Sequence, residues 1–173
     1  MTLLTDLRTG EVIGAKWSEV DLERRIWIIP ADRLKDRQTR SEPHRVPLSR
    51  QVVEVLSKLP QLGEHVFPGL KAGKPLSDMA MLKLLRDLNS DGKGKPIRVD
   101  PKSERPIVPH GLRATFRTRG DDAGHPRKLL EEVLGHPIGS AVERAYRRTD
   151  SFERRRTVMQ AWANFSCGEP LER

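Results

Sequence analysis

A single cysteine, Cys167, stands among the 173 residues of the chain. One thiol cannot close an internal disulfide, and no Cys/His spacing fits a zinc site, so the chain suits a reducing cytosol. Long hydrophobic runs are also missing, and no apolar stretch reaches membrane-spanning length. The first residues, Met1-Thr2-Leu3-Leu4-Thr5-Asp6-Leu7-Arg8, lack the basic region and apolar run of a signal peptide. There is no glycine-rich nucleotide loop, no internal repeat and no composition break that would mark a second domain. Carboxylates do not gather as a two-metal site requires: Glu19 with Asp21, and Asp121 with Asp122, are near neighbours that point to different places. Tyrosine is as scarce as cysteine, with Tyr146 the only one.

Positive charge is what the chain has in plenty. Lys and Arg number 32 against 24 Asp and Glu, a formal net charge of +8. Such a surplus is the footprint of a nucleic-acid partner, with simple solubility as the alternative. Arginines dominate the second half, among them Arg113, Arg117, Arg119, Arg127, Arg147 and Arg148. Their planar forks suit phosphate oxygens better than a lysine point charge does. The length is enough for one domain with a real core.

Periodicity predicts a mostly helical α+β domain. Leu3, Leu4 and Leu7 keep helical spacing, but nothing precedes them to complete or cap a helix, so the start looks cut. Gly10 ends that turn, Glu11 to Trp17 reads as a second short helix, and Ser18 to Asp21 as a turn. Arg25 to Pro30 is a β run of branched and aromatic residues, and His44 to Leu48 is its partner strand. The loop between them, Ala31 to Pro43, carries Arg33, Lys35, Arg37 and Arg40. So basic a hairpin tip is no packing device. Ser49 caps a helix running to Leu59 with Val52, Val53 and Leu56 inward. Ser77 caps the next, with Met81, Leu82, Leu85 and Leu88 as its stripe. Residues 89–108, rich in Gly, Lys and Pro, read as a flexible loop. Helices follow from His110 to Ala123, from Arg127 to Leu134 with Gly135 as terminator, and from Ala141 to Arg148. Asp150 with Glu153 opens a last helix whose apolar side is Phe152, Val158, Met159, Trp162 and Phe165. That stripe fits docking on the chain's own core or on a neighbouring protomer, with self-packing expected for an isolated domain. Residues 166–173 read as a tail.

The stretch from Pro109 to Arg119 is the chemical centre of the chain. Pro109 suits a first helical turn. His110 and Arg113 then stand at i and i+3 on one face, beside free backbone N–H groups and the positive dipole end. That is a seat for a phosphate, or else an ordinary solvated helix start. Cleaving a phosphodiester without metal needs a nucleophile, cations on the non-bridging oxygens, a proton acceptor and a proton donor. The chain offers Tyr146, Arg8, Arg113, His110, His136 and Lys35. Each has a plainer reading: a half-buried tyrosine, a surface arginine, a histidine closing a helix, one cation among four.

Their order resembles the tyrosine recombinases, the phage-type integrase family, over about Leu3 to Trp162. Leu7-Arg8-Thr9-Gly10-Glu11 is similar to the family's first arginine box, and Trp17-Ser18-Glu19-Val20-Asp21 to the segment after it. Arg33-Leu34-Lys35 with Pro43-His44-Arg45-Val46-Pro47 resembles the lysine-bearing hairpin. His110-Gly111-Leu112-Arg113, Leu134-Gly135-His136 and Ala145-Tyr146-Arg147-Arg148 resemble the three later boxes, and the extended wording is most like integrases of prophages and genomic islands.

The resemblance implies the catalytic-domain fold of that family, with a small antiparallel sheet near the N-terminus. It implies a site-specific DNA recombinase that cleaves and rejoins double-stranded DNA through a 3′-phosphotyrosine. Tyr146 would be the nucleophile, with Arg8, Arg113 and His136 on the scissile phosphate. His110 would assist proton transfer, Lys35 would donate to the leaving oxygen, and Glu11 would hold Arg8. Arg33, Arg37, Arg117 and Arg147 are the candidates for further DNA contacts. Neither ATP, metal nor any other cofactor is implied. The implied setting is the bacterial cytoplasm, with no membrane partner. The implied assembly is a tetramer on attachment-site DNA for a full-length protein and a monomer for this stretch, with accessory DNA-bending and excision proteins. Asp6 departs from the family's usual glycine, and the hairpin loop from Asp36 to Glu42 is longer than usual, which leaves Lys35 against Arg33 or Arg37 open. The arm-binding and core-binding domains are absent, so residues 1–173 read as a catalytic-domain fragment. A type IB topoisomerase and a non-cleaving DNA-binding module are the rival readings.

Overall fold

The computed structural model describes residues 1–35, 38, 42–101, 103–136 and 151–169. Its only sheet among these has three antiparallel strands in the order β1 (Val20–Asp21), β2 (Ile26–Ile29) and β3 (His44–Pro47). β2 alternates as a sheet with one buried face requires. Trp27 and Ile29 are buried and Ile28 between them is exposed. Trp27 stands opposite Val46 and Ile29 opposite His44, which confirms the hairpin read from the sequence. Val20 pairs with Trp27, so the expected turn at residues 18–21 is in fact a 3₁₀ turn (Trp17–Glu19) and an edge strand. That pairing is made across the sheet and leaves no local mark on so short a segment.

Two single-turn helices precede the sheet: α1 (Thr2–Thr5) and α2 (Thr9–Ile13). The second starts two residues earlier than expected. The Glu11 carboxylate reaches back to the Arg8 N–H at 2.8 Å and so fixes the helix start at Arg8. α3 (Arg50–Ser57) follows the sheet, with the Ser49 hydroxyl accepting the Val52 N–H at 3.4 Å. α4 (Ala80–Leu88) starts later than expected, because it is the Ser77 carbonyl, not its hydroxyl, that takes the Ala80 N–H. Its apolar stripe is shallow: Met81, Leu82 and Leu85 are half-buried and Leu88 is exposed. Residues 89–108 form two small bridged turns, Ser90 against Pro96 and Val99 against Pro106. The Asn89 amide bonds both the carbonyl and the N–H of Arg98, and the Asp91 carboxylate collects the N–H groups of Lys93 and Lys95.

The remaining helices among the described residues are α5 (Pro109–Asp122), α6 (Arg127–Val133) and α7 (Phe152–Ser166), and the helix expected from Ala141 to Arg148 lies outside those residues. Two cores result. Leu7, Val12, Trp27, Ile29, Val46 and Val52 join the sheet to α2 and α3, and Phe116, Leu130, Val133, Met159 and Trp162 join α5, α6 and α7. Phe116 and Trp162 meet edge to face at 5.4 Å. α7 packs on the chain's own body, as expected for an isolated domain. The Trp162 indole donates to the Leu3 carbonyl at 2.6 Å, and Gln160 and Asn164 interlock with Gln51 of α3. Ser166 is still helical, and Glu169 still pairs with Arg50, so the expected tail is attached at its start. The expected Asp150 cap lies outside the described residues.

Gly120 sets how closely α5 meets α6. A Cβ there would stand 2.5 Å from Leu130 Cδ2 and 2.9 Å from Cδ1, and Leu130 is fully buried. Alanine in a helix interior gains about 0.5–1 kcal/mol over glycine. Overpacking a tight core costs about 1–3 kcal/mol, so the clash decides the sign. Gly120→Ala is expected to lower stability by about 1–2 kcal/mol in urea denaturation.

Candidate functional site

Three segments far apart in sequence meet at the Arg113 side chain. Arg113 lies in the second turn of α5 and is buried. Its Nη1 donates to the Asp6 carbonyl and its Nη2 to the Leu134 carbonyl at 2.8 Å. A guanidinium presents five donors in a rigid fork, so it can tie two carbonyls and still face a third partner. Asp6 holds its carbonyl there through a left-handed backbone, φ +51° and ψ +22°, between α1 and α2. Asparagine, aspartate and glycine are the residues that adopt this conformation, so aspartate preserves the shape that glycine would give.

Arg8 enters next to Arg113. Its Nη1 meets Glu11 Oε1 at 3.0 Å, and Glu11 is buried while a quarter of the Arg8 side chain remains exposed. Burial lowers the Arg113 pKa from the usual guanidinium value, and the positive charge of Arg8 lowers it further. Glu11, Asp6 and Glu131 oppose the shift, but the two like charges remain close together. Arginine stays charged in proteins. Such a pair is relieved by an anion.

His136 is brought in by the end of α6. Gly135 has φ +68°, the His136 N–H donates to the Glu131 carbonyl at 3.0 Å, and the Gly135 N–H to the Glu132 carbonyl at 3.2 Å. This helix ending folds the chain back over its last turn. A Cβ on Gly135 would meet the His44 ring of β3 only at ordinary contact distance, 3.4 Å, so the left-handed backbone and not space calls for glycine here. His136 thereby returns to the face that carries Glu131. Its Nδ1 is 2.5 Å from Glu131 Oε2, and its Nε2 is 3.4 Å from Arg113 Nη2. The other oxygen of Glu131 lies 3.1 Å from Arg117 Nε. Burial would raise the Glu131 pKa, but the His136 hydrogen bond and the charges of Arg117, His136 and Arg127 outweigh it and hold the carboxyl below the usual range.

Of the expected site residues, Arg8, Glu11, Arg113 and His136 are together. His110 is exposed on α5, one turn before Arg113, and Lys35 is exposed beyond β2. Arg33 is half-buried. Its guanidinium clasps Glu19 and donates to the Glu11 carbonyl at 2.8 Å, so it ties the sheet to α2. Arg117 is engaged by Glu131. Tyr146, Arg147 and Arg37 lie outside the described residues. Sequence reasoning missed Glu131 and the two backbone carbonyls that hold Arg113. Glu131 had a signal, since an acid five residues before a histidine, across a glycine that ends a helix, is returned to that histidine's side.

No helix among the described residues is long and apolar enough to cross a membrane. Comparison with known proteins gives a consistent picture. Residues 1–152 match the phage integrase family. The chain is 32% identical over 166 residues to prophage integrase IntA of Escherichia coli K12, with 94% of this chain and 36% of that protein covered. It is 33% identical over 182 residues to prophage integrase IntZ of the same strain, with 99% and 41% covered. It thus spans well under half the length of these relatives. Among solved structures, the integrase of mycobacterium phage Brujita aligns with a TM-score of 0.65 at 19% identity, covering 92% of this chain and 48% of that one. The Tn1549 transposon integrase, in complex with circular intermediate DNA, aligns at 0.60 with 21% identity, covering 88% and 55%.

Proposed function

This chain belongs to the phage integrase family, and from that premise we propose that it is the catalytic domain of a site-specific DNA recombinase. The observation that carries the proposal is the convergence on one spot of Arg8, Arg113 and His136, three phosphate-binding groups from segments more than a hundred residues apart in the extreme case. Two guanidiniums fixed by carbonyls and a carboxylate need no rearrangement when charge grows on a phosphoryl oxygen. His136 Nε2 stands at the same spot.

In this reading the Tyr146 oxygen attacks the scissile phosphorus, forming a P–O bond to the tyrosine as the bond to the 5′-oxygen breaks. His110 takes the phenol proton, and Lys35 gives a proton to the leaving 5′-oxygen. Rejoining is the reverse, with the bond energy conserved in the phosphotyrosyl link. Lys35 is favoured over Arg33 because the Arg33 fork is occupied by Glu19 and Glu11 while Lys35 is exposed. The substrate is double-stranded attachment-site DNA, in keeping with the solved Tn1549 relative in complex with circular intermediate DNA. The setting is the bacterial cytoplasm, with integration or excision of a mobile element as the outcome and a tetramer of the longer protein as the working assembly.

Tyr146→Phe tests this directly. On a nicked suicide substrate made from the element's own ends, wild-type protein is expected to form a covalent adduct visible on a denaturing gel. The variant should form none while keeping DNA affinity within about threefold, since one hydroxyl contributes little beside the phosphate contacts. An adduct with Tyr146→Phe would overturn the assignment. Relaxation of a plasmid of arbitrary sequence would favour a topoisomerase instead.

A further inference from the structure

Glu131 belongs to none of the motifs that identify the chain, yet it touches two functional groups at once. Its Oε2 is 2.5 Å from His136 Nδ1 and its Oε1 is 3.1 Å from Arg117 Nε. Arg117 and Arg113 stand four residues apart on α5, on one face of that helix. Arg113 Nη2 in turn is 3.4 Å from His136 Nε2. Contacts thus run in sequence from Arg113 through His136 and Glu131 to Arg117, and they join α5 to the end of α6.

The chemistry of that series of contacts fixes a proton. A carboxylate only accepts hydrogen bonds, and Glu131 is held ionised by its cationic neighbours. Nδ1 of His136 must therefore carry the hydrogen. In the neutral ring Nε2 is then the bare nitrogen, and it faces the guanidinium of Arg113. Which nitrogen of a histidine is protonated is set by the partner of the other one. We propose that Glu131, itself oriented by Arg117, is the positioning residue for His136: it fixes the Nδ1–H tautomer and turns Nε2 toward the anion seat at Arg113. This rests on the recombinase reading for what His136 does there. When a phosphate enters between Arg8 and Arg113, Nε2 takes a proton from solvent and donates to a phosphate oxygen, while Nδ1 stays bonded to Glu131. Arg117 acts through Glu131 rather than on DNA.

Three measurements on the 173-residue chain test the proposal. In nitrogen-15 NMR of histidine-labelled protein without DNA, His136 is expected to show the Nδ1–H tautomer pattern, and Glu131→Gln is expected to lose it. The glutamine amide can donate as well as accept and so fixes neither tautomer. In single-turnover adduct formation with the suicide substrate, Glu131→Gln should slow cleavage about 10- to 100-fold, the range found when the orienting partner of a functional histidine is lost. DNA affinity and thermal midpoint should stay close to wild type, because glutamine is isosteric. Arg117→Gln should slow cleavage in the same way with little change in the salt slope of DNA binding, whereas an arginine on a phosphate would reduce that slope by about one. An Nε2–H tautomer in wild type, or a Glu131→Gln variant with unchanged tautomer and rate, would overturn the proposal. A wild-type chain with the expected tautomer but no adduct on any end sequence would instead refute the recombinase reading and leave the Glu131–His136 pairing in place.

Discussion

Arg113→Lys is expected to slow single-turnover cleavage of the suicide substrate by two to three orders of magnitude, although the charge is kept. Loss of one well-placed donor to a developing oxyanion costs about that much. Lysine cannot replace the fork. The guanidinium ties the Asp6 carbonyl to the Leu134 carbonyl and still faces His136 and Arg8. A single ammonium on a flexible stem satisfies the carbonyls or the phosphate, but not both with fixed geometry. Each buried carbonyl left without its donor destabilises by about 1–3 kcal/mol. For a chain of this size the thermal midpoint should fall by several degrees, at about 2–4 °C per kcal/mol. DNA affinity should fall far less than the rate, because many other cations contribute to it. A rate within threefold of wild type in a folded variant would mean that Arg113 serves only to join α1 to α6.

The second large effect concerns Asp6. Its carboxyl is fully buried, neither oxygen has a hydrogen-bond partner among the described residues, and burial pushes its pKa up to about 9 despite the opposing charge of Arg113. The unfolded chain ionises the same group near pH 4. Between those values the folded state holds one more proton than the unfolded state, so stability falls as pH rises through that window. The accumulated penalty at pH 7 is on the order of 4 kcal/mol as an upper bound. Asp6→Asn keeps the shape and the tolerance for a left-handed backbone but cannot ionise. The variant and wild type should have similar stability near pH 4.5. By pH 8 the variant should be more stable by about 2–4 kcal/mol in urea titrations, a gap that opens steadily with pH. Parallel curves would show that the carboxyl is not neutral in the folded chain. A neutral Asp6 also explains how an acid can sit beside Arg113 without competing with a phosphate, so cleavage by Asp6→Asn should stay near the wild-type rate.

These two residues show where sequence reasoning stops. The chain carries the His110–Arg113 spacing openly, because a helix converts i and i+3 into neighbours. The partners of Arg113 are hidden, because both are backbone carbonyls, and a carbonyl has no residue identity to read. At Asp6 the departure from glycine was visible, but the left-handed backbone that makes aspartate fit appears only in the fold, and its burial follows from elements a hundred residues away. Arg33 shows the converse. In sequence it is one of four loop cations, and only the fold reveals that Glu19 and the Glu11 carbonyl occupy it.

The sequence by itself determined the hairpin of β2 and β3, the helices α3, α5, α6 and α7, and the ordered motifs that place the chain among the phage integrases. All of these rest on short-range regularities: alternation in strands, three-to-four spacing in helices, glycine and proline at the ends. Tertiary structure alone decided the edge strand at Val20–Asp21, the docking of α7 on its own body, the two carbonyls under Arg113 and the contacts that Glu131 makes with His136 and Arg117. Each depends on contacts between distant segments, whose energies arise from burial and hydrogen-bond geometry that no local pattern encodes.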